Sequence, residues 1–270
     1  MDERLKIFIL MLLIFFTGFI LRVDTVHLHG VDPAERAYLT DDQGLPYMYE
    51  LDSYYNYRIA LNYLKNGHNG DTIRGGVPLG SAFILPSGVP LDYPPLLPLV
   101  ALTLHVLLGV ISPVSLRSTC LILPALMAPL AGVICFFTVK RFQGDIPAFM
   151  GALLLVSTPF YLIKTVYGFY DTDMLILTVS LMVFFLFIEA DGIERKRVLL
   201  SALGGFALFL FSITWSGWQV MFYVTLVTFI ILALTSRSGR PLRDVLETFL
   251  PDSWLCSSSS SFSITLSLLK

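Results

Sequence analysis

The sequence predicts an all-α polytopic membrane protein. Hydrophobic residues make up 55% of its 270 positions and charged residues only 14%, whereas a soluble globular chain is typically about a quarter charged. The mean hydropathy is +0.74, and the apolar residues fall into seven runs, each near the length that crosses a bilayer as a helix. The net charge of −2 gives no indication of nucleic-acid binding.

The first apolar run, residues 7–21, predicts the first transmembrane helix, to which we assign residues 1–21. No small-residue cleavage site follows it, so we expect a retained anchor rather than a signal peptide. Residues 22–91 then form a polar loop of 70 residues with eight acidic and five basic side chains. A loop of that length is typically a functional element, and its tyrosine-rich part predicts an amphipathic segment near the lipid headgroups.

The basic clusters limit how many of the runs cross the membrane. If all seven crossed from a cytoplasmic N-terminus, the three basic clusters at 140–141, 194–197 and 237–243 would all lie outside, against the rule that such loops are cytoplasmic. The run 92–112 begins with three prolines, so we interpret it as an interfacial or re-entrant helix on the outer face. About six spans then remain, with residues 22–115 as an external loop, 116–234 as five further transmembrane helices, and 235–270 as a cytoplasmic basic segment with an atypical Ser-rich tail.

Two acidic elements share the outer face in this topology. Asp171-Thr172-Asp173 separates two apolar runs, and Asp52 lies in the sequence ELDSYYNYR of the external loop. Carboxylates at a membrane boundary need water, a cation or a metal. Asp52 alone is typical of a first-turn acid of a helix, but three carboxylates from two loops can also surround one divalent cation and leave positions for phosphate oxygens.

These elements together resemble the catalytic subunit of oligosaccharyltransferase, in the archaeal and bacterial single-subunit form. The resemblance rests on ELDSYYNYR, on a helix led by Tyr93-Pro94-Pro95, on the motif Gly168–Asp173 (GFYDTD), and on Thr214–Trp218 (TWSGW). It covers roughly residues 5–240 and implies a helical bundle of the GT-C glycosyltransferase class.

The resemblance also implies a function and a set of site residues. The expected reaction transfers a glycan from a polyprenyl (dolichyl or undecaprenyl) phosphate or pyrophosphate to Asn in an Asn-x-Ser/Thr acceptor, at the extracytoplasmic face of the cell membrane. The expected cofactor is Mn²⁺ or Mg²⁺, because a lipid phosphate leaving group needs its charge neutralised. The implied site residues are Asp52 and Asp171 for catalysis and metal binding, Asp173 for metal binding, and Tyr54, Arg58 and Lys164 for substrate binding.

Other interpretations remain open at the level of sequence. Another polyprenyl-phosphate-sugar glycosyltransferase has the same architecture but usually places its acidic pair directly after the first span, and a secondary transporter predicts internal repeats and acids at mid-membrane. Lys164 is also typical of a lysine whose amine extends to the interface. The tail PDSWLCSSSSSFSITLSLLK and the missing acceptor-recognition motif predict a truncated or frame-shifted chain of weak or no activity, with a naturally short paralogue as the alternative.

Overall fold

The computed structural model describes residues 2–42, 44–81, 88–91, 93–192 and 194–235, and the described residues are mostly helical. The predicted basic cluster at 237–243 and the Ser-rich tail lie outside them. The described chain divides into two compact units, residues 2–178 with 213–216, and residues 179–212 with 217–235. The helices and strands are α1 Glu3–Val23, α2 Pro33–Leu39, α3 Leu51–Asn66, β1 Thr72–Arg74, β2 Val77–Gly80, β3 Val89–Pro90, α4 Leu96–Ile111, α5 Leu116–Gln143, α6 Asp145–Ser157, α7 Pro159–Ile163, α8 Asp173–Gly192, α9 Arg197–Ser212 and α10 Trp218–Thr235.

Among the residues that the structure describes, three helical segments are long and apolar enough to cross a membrane. They are Glu3–His27, Leu116–Gln143 and Asp173–Ala190, and the other apolar helices, α4, α6, α9 and α10, are shorter over their apolar parts. A helix rises about 1.5 Å per residue, so the 16 residues of α4 span less than the hydrocarbon core, which is about 30 Å thick. The helical membrane class is therefore supported, and the count of six spans stays a prediction.

The apolar run 146–166 is not one continuous helix. Helix α6 ends at Ser157, and α7 begins with Pro159 at its first position. Proline has no backbone N–H to donate and restricts the residue before it, so the helix breaks at Thr158. The Thr158 hydroxyl instead donates to the Leu154 carbonyl at 2.7 Å. After the break the chain stays packed on the bundle, since the Tyr161 hydroxyl donates to the Ala128 carbonyl of α5 at 3.1 Å.

One buried cluster of the first unit lies where α1, α5 and α6 pack together. Its fully buried members are Ile14, Phe136, Ala148, Ala152 and Val156. Small side chains let the helices approach closely, since a Cβ atom added at Gly132 would come within 2.4 Å of Val156 and 2.9 Å of Ile14.

The segment between α2 and α4 contains α3 and a small antiparallel sheet of order β1-β2-β3. Thr72 pairs with Leu79 and Leu79 with Pro90 across the sheet. Helix α3 ends at Gly67, whose left-handed backbone (φ +75°) favours glycine. In the second unit, the ring of Phe187 on α8 meets Phe229 on α10 edge-on with centroids 5.0 Å apart, and Phe187 packs against Gly204 of α9.

Candidate metal and substrate site

The start of α3 presents two carboxylates. Glu50 is the N-cap residue with an extended backbone, and Asp52 is an exposed acid in the first turn. An acid at this position is favoured by the partial positive charge of the helix N-terminus. The preceding loop is held by the Tyr54 hydroxyl, which accepts a hydrogen bond from the Met48 amide at 3.1 Å.

The segment that carries Asp171 is tied to its surroundings by backbone hydrogen bonds. The Gly168 amide donates to Leu121 at 2.9 Å, the Gly168 carbonyl accepts from Tyr49 at 3.3 Å, and the Tyr167 amide donates to Arg22 at 3.2 Å. Gly168 itself has φ +91°, a conformation that side-chain-bearing residues rarely adopt. The segment is thereby fixed against α1, α5 and the loop before α3, which places Asp171 beside the start of α3.

The structure brings Asp52 and Asp171 together, with Glu50 as a third member. One carboxylate oxygen from each of the three residues lies within 4.8 Å of the others. Glu50 was missed at the sequence level because it resembles an ordinary residue just before a helix. The signal that was available is its position two residues before Asp52 in the same acidic motif.

Asp171 is oriented by neutral donors. Its Oδ1 accepts from the Thr172 amide at 2.7 Å, from Asn56 Nδ2 at 3.1 Å and from the Thr172 hydroxyl at 3.4 Å. The hydrogen bonds from described residues to this carboxylate all end on Oδ1, which leaves Oδ2 available to a ligand. No Lys or Arg among the described residues pairs with Asp171.

Asp173 lies outside this group of three carboxylates. It is the first residue of α8, and the amides of Leu175 and Ile176 already donate to the Thr172 carbonyl at 2.8 Å. The chain thus enters the helix directly after Asp171, and helical geometry directs successive side chains to different sides. A metal role for Asp173 stays a prediction.

Lys164 supplies a positive charge at the edge of the acidic group. Its Nζ lies 3.6 Å from Glu50 Oε2 and 4.7 Å from the centre of the Phe169 ring. Both side chains of the ion pair are about one-third exposed. The sequence indicated Lys164 as a substrate-binding residue, and that role stays a prediction.

Arg58 contacts a different carboxylate. Its Nε donates to Asp71 Oδ1 at 2.8 Å, and Asn62, the Ser81 amide and the Ser81 hydroxyl also donate to Asp71. The hydrogen bond from Arg58, followed by those from Asn62 and Ser81, holds the pKa of Asp71 well below its usual range despite the opposing effect of burial. Arg58 therefore joins α3 to the small sheet, and the predicted substrate roles of Arg58 and Tyr54 stay predictions.

Tyr93 is a polar neighbour of the site that the sequence did not indicate as a site residue. Its ring meets Tyr55 of α3 edge-on with centroids 5.3 Å apart. Burial raises the pKa of the Tyr93 phenol, and the negative charges of Asp171 and Asp52 raise it further. The phenol thus stays protonated at neutral pH beside these carboxylates. The sequence feature that could have indicated Tyr93 is its position directly before the two prolines that precede α4.

The donor set fits a hard divalent cation. Carboxylate oxygens are the ligands that Mg²⁺ and Mn²⁺ prefer, and ligands on opposite sides of Mg²⁺ lie about 4 Å apart. At most one pair of three ligands can lie opposite, and neighbouring ligands of Mg²⁺ lie about 3 Å apart. Oxygens separated by up to 4.8 Å must therefore move inward by about 1–2 Å, a movement that the exposed Asp52 can share. Glu50, Asp52 and Asp171 are the residues that would hold such an ion, and the exposed Asp52 keeps the group accessible from solvent.

Comparisons with known proteins identify the family of the chain. Residues 19–268 match the family model for the N-terminal part of the oligosaccharyl transferase STT3. The chain is 30% identical over 248 residues to the dolichyl-phosphooligosaccharide-protein glycotransferase of Methanococcus voltae, an alignment covering 86% of this chain and 27% of that relative. The chain therefore spans about a quarter of the length of that curated relative.

Solved structures of an oligosaccharyltransferase from Archaeoglobus fulgidus share the fold. The complex with Zn and sulfate superposes with a TM-score of 0.71 at 15% identity, covering 89% of this chain and 29% of that one. The complex with an inhibitory peptide and a dolichol-phosphate gives a TM-score of 0.70 at 14% identity, covering 90% and 28%. With a family match over most of its length, the chain belongs to the STT3 family of oligosaccharyl transferases, corresponding to the N-terminal part.

Proposed function

We propose that this chain is the cation- and donor-binding part of a membrane oligosaccharyltransferase. The reaction transfers a glycan from a dolichyl or related polyprenyl phosphate or pyrophosphate to the Asn side chain of an Asn-x-Ser/Thr acceptor. The observation that carries the proposal is the grouping of Glu50, Asp52 and Asp171 within 4.8 Å in a chain of this family. The name of the Methanococcus voltae relative and the dolichol-phosphate in the Archaeoglobus fulgidus complex support the donor class.

Asp52 and Asp171, with Glu50, are the residues that would hold Mn²⁺ or Mg²⁺. When bound there, the cation supplies charge neutralisation for the phosphate leaving group. The Archaeoglobus fulgidus complex with Zn and sulfate is in keeping with a divalent ion. Asp171 keeps one oxygen on Asn56 and Thr172 and offers the other, so its orientation is set before any ligand arrives.

Asp52 is the residue best placed to meet the acceptor. It is exposed at the first turn of α3, and an ionised carboxylate accepts hydrogen bonds from the NH₂ group of an Asn side chain. Such bonds weaken the conjugation that makes an amide nitrogen a poor nucleophile. Asp173 remains a proposed support of the cation or phosphate.

Lys164, Tyr93 and Tyr54 supply the polar border of the site. The Lys164 ammonium offers a positive charge beside the acidic group, and a protonated Tyr93 phenol offers a hydrogen-bond donor for phosphate or sugar oxygens. The ring of Tyr54 is 40% exposed and provides a surface for the glycan or its lipid. Arg58 is proposed to act on substrate with the exposed part of its side chain while its Nε holds Asp71.

The location we propose is a multi-pass position in the cell membrane with the acidic group at the extracytoplasmic face. The apolar helices support the membrane position. The basic residues Lys140 and Arg141 lie at the end of α5 opposite its N-terminus, near which the acidic group is attached through Gly168 and Leu121. The positive-inside rule then assigns the acidic group to the outer face.

The proposal is tested with the chain in lipid nanodiscs and a fluorescent dolichyl-phosphate-linked glycan. Donor binding is expected to require Mn²⁺, to be lost with EDTA, and to fall at least tenfold in Asp171→Ala. Asp42→Asn serves as the matched control, because it removes an exposed acid that precedes α3 and lies outside the group of three carboxylates. Donor binding that is unchanged by both EDTA and Asp171→Ala would overturn the proposal, whereas ion-coupled solute uptake without donor binding would indicate a transporter.

A further inference from the structure

We propose that Asn56 is a positioning residue for the cation site. Its side-chain amide holds Asp171 in the orientation that leaves the second oxygen of this carboxylate for the ion. This inference deepens the proposed function and rests on it, since it concerns the same cation.

The contacts of Asn56 join α3 to the Asp171 segment. Asn56 is fully buried, and its Nδ2 donates to Asp171 Oδ1 at 3.1 Å and to the Tyr170 carbonyl at 3.2 Å. An amide NH₂ carries two protons, and both are used within one short piece of chain. The first bond fixes the carboxylate and the second fixes the backbone that carries it.

The position of Asn56 along α3 explains why it reaches this point. It lies four residues after Asp52, and residues four apart occupy the same face of a helix. One helix therefore contributes a candidate cation ligand and, a turn later, the group that orients a second ligand from a distant segment. Any movement of α3 relative to the Asp171 segment changes both ligands together.

The electrostatics distinguish Asn56 from an ordinary structural amide. Among the residues that the structure describes, Asp171 receives neutral donors but no Lys or Arg, so its negative charge remains available to an ion. Asn62, two turns along α3, provides the comparison, since its Nδ2 donates to a carboxylate, Asp71, at 2.9 Å and to the Asn69 carbonyl at 3.0 Å. The charge of Asp71, however, is already compensated by Arg58. Asn56 thus donates to a carboxylate whose charge is available to an ion, whereas Asn62 donates to a carboxylate whose charge is already balanced by Arg58.

The experiment compares Asn56→Leu with Asn62→Leu in nanodiscs. Mn²⁺ affinity is measured by the EPR signal of free Mn²⁺, and thermal unfolding is followed with and without the ion. Loss of a group that orients a metal ligand typically weakens metal affinity about 10- to 100-fold. Asn56→Leu is therefore expected to weaken Mn²⁺ affinity by about that factor, whereas Asn62→Leu should change it by less than about twofold. Each variant loses two side-chain hydrogen bonds that are buried or partly buried, so both are expected to unfold at similarly lower temperatures without Mn²⁺.

The outcomes separate this inference from the proposed function. Wild-type Mn²⁺ affinity in Asn56→Leu, or a loss no larger than in Asn62→Leu, would overturn the positioning role and leave the cation site intact. A wild-type chain that binds no Mn²⁺ would instead overturn the cation site itself. If Asn56→Leu does not fold, Asn56→Ala, which introduces no bulk, is measured in its place with the same expected loss.

Discussion

Replacing Lys164 with Met should strengthen cation binding. The ammonium group and the Glu50 carboxylate are 3.6 Å apart, and their side chains are 38% and 32% exposed. Two unit charges at that distance interact by about 1.2 kcal/mol at the dielectric constant of water and about 4.6 kcal/mol at an effective value of about 20. The exposure favours the lower figure, which agrees with the range of about 0–1 kcal/mol measured for exposed pairs. Lys164 and Mn²⁺ compete for the Glu50 carboxylate. Without Lys164 the Mn²⁺ affinity should therefore rise about fivefold, which corresponds to about 1 kcal/mol.

The assay is a Mn²⁺ titration of the chain in nanodiscs at low ionic strength. Lys65→Met is the control, because Lys65 is an exposed lysine at the far end of α3. The gain should shrink as salt screens the exposed charges, and it should vanish when Glu50→Gln is already present, since the competing pair is then gone. A weaker Mn²⁺ affinity in Lys164→Met, or a gain that persists with Glu50→Gln, would refute the reasoning and indicate that Lys164 supports the site in another way.

Two further predictions concern the segments that hold the site. Asp71→Asn should destabilise the small sheet by about 2 kcal/mol, because charge-assisted hydrogen bonds are lost. In addition, the new NH₂ group is a donor and would face the Ser81 amide, which is also a donor. Hydrogen exchange of β1 and β2 measures this loss of stability. The pKa of Asp71 in the folded chain lies below its unfolded value of about 3.9. The stabilisation by ionised Asp71 is therefore fully present above about pH 4 and is lost as the pH falls toward the folded pKa. The stability difference between wild type and Asp71→Asn should disappear in acid, and a difference that does not change with pH would contradict the pairing of Asp71 with Arg58. Gly168→Ala should lower the free energy of unfolding by about 1 kcal/mol, because an alanine is strained at the positive φ of this position. Mn²⁺ binding should also weaken as the Asp171 segment shifts. Unchanged thermal unfolding would contradict the expected strain.

The sequence predicted the meeting of Asp52 and Asp171 for a physical reason. Charge asymmetry placed both loops on one face of the membrane, and the motifs resembled a family with such a site. Glu50 was missed because the sequence does not show that the chain is extended at residue 50, which is what allows two acids separated by one residue to approach the same point. Asn56 was part of a quoted motif, but a hydrogen bond between residues 115 positions apart depends on packing that no local pattern contains.

Other features of the structure could not be predicted from hydropathy or periodicity. The run 146–166 is apolar throughout, so hydropathy alone does not show that Pro159 divides it into the helices α6 and α7. The ion pair of Arg58 with Asp71 was not predicted, because Asp71 lies 13 residues away beyond a helix end. The distance between such groups depends on the turn at Gly67 and on the sheet that follows, which periodicity does not determine.

The most direct test of the central claim is the stoichiometry and affinity of Mn²⁺ binding by the chain and by Asp52→Asn and Asp171→Asn. If these acids share one ion, the wild-type chain should bind one Mn²⁺ at this site, and each substitution should weaken that same binding at least tenfold, while Asp71→Asn leaves it unchanged. Undiminished binding in Asp171→Asn would contradict the claim that the acidic group of Glu50, Asp52 and Asp171 is the cation site.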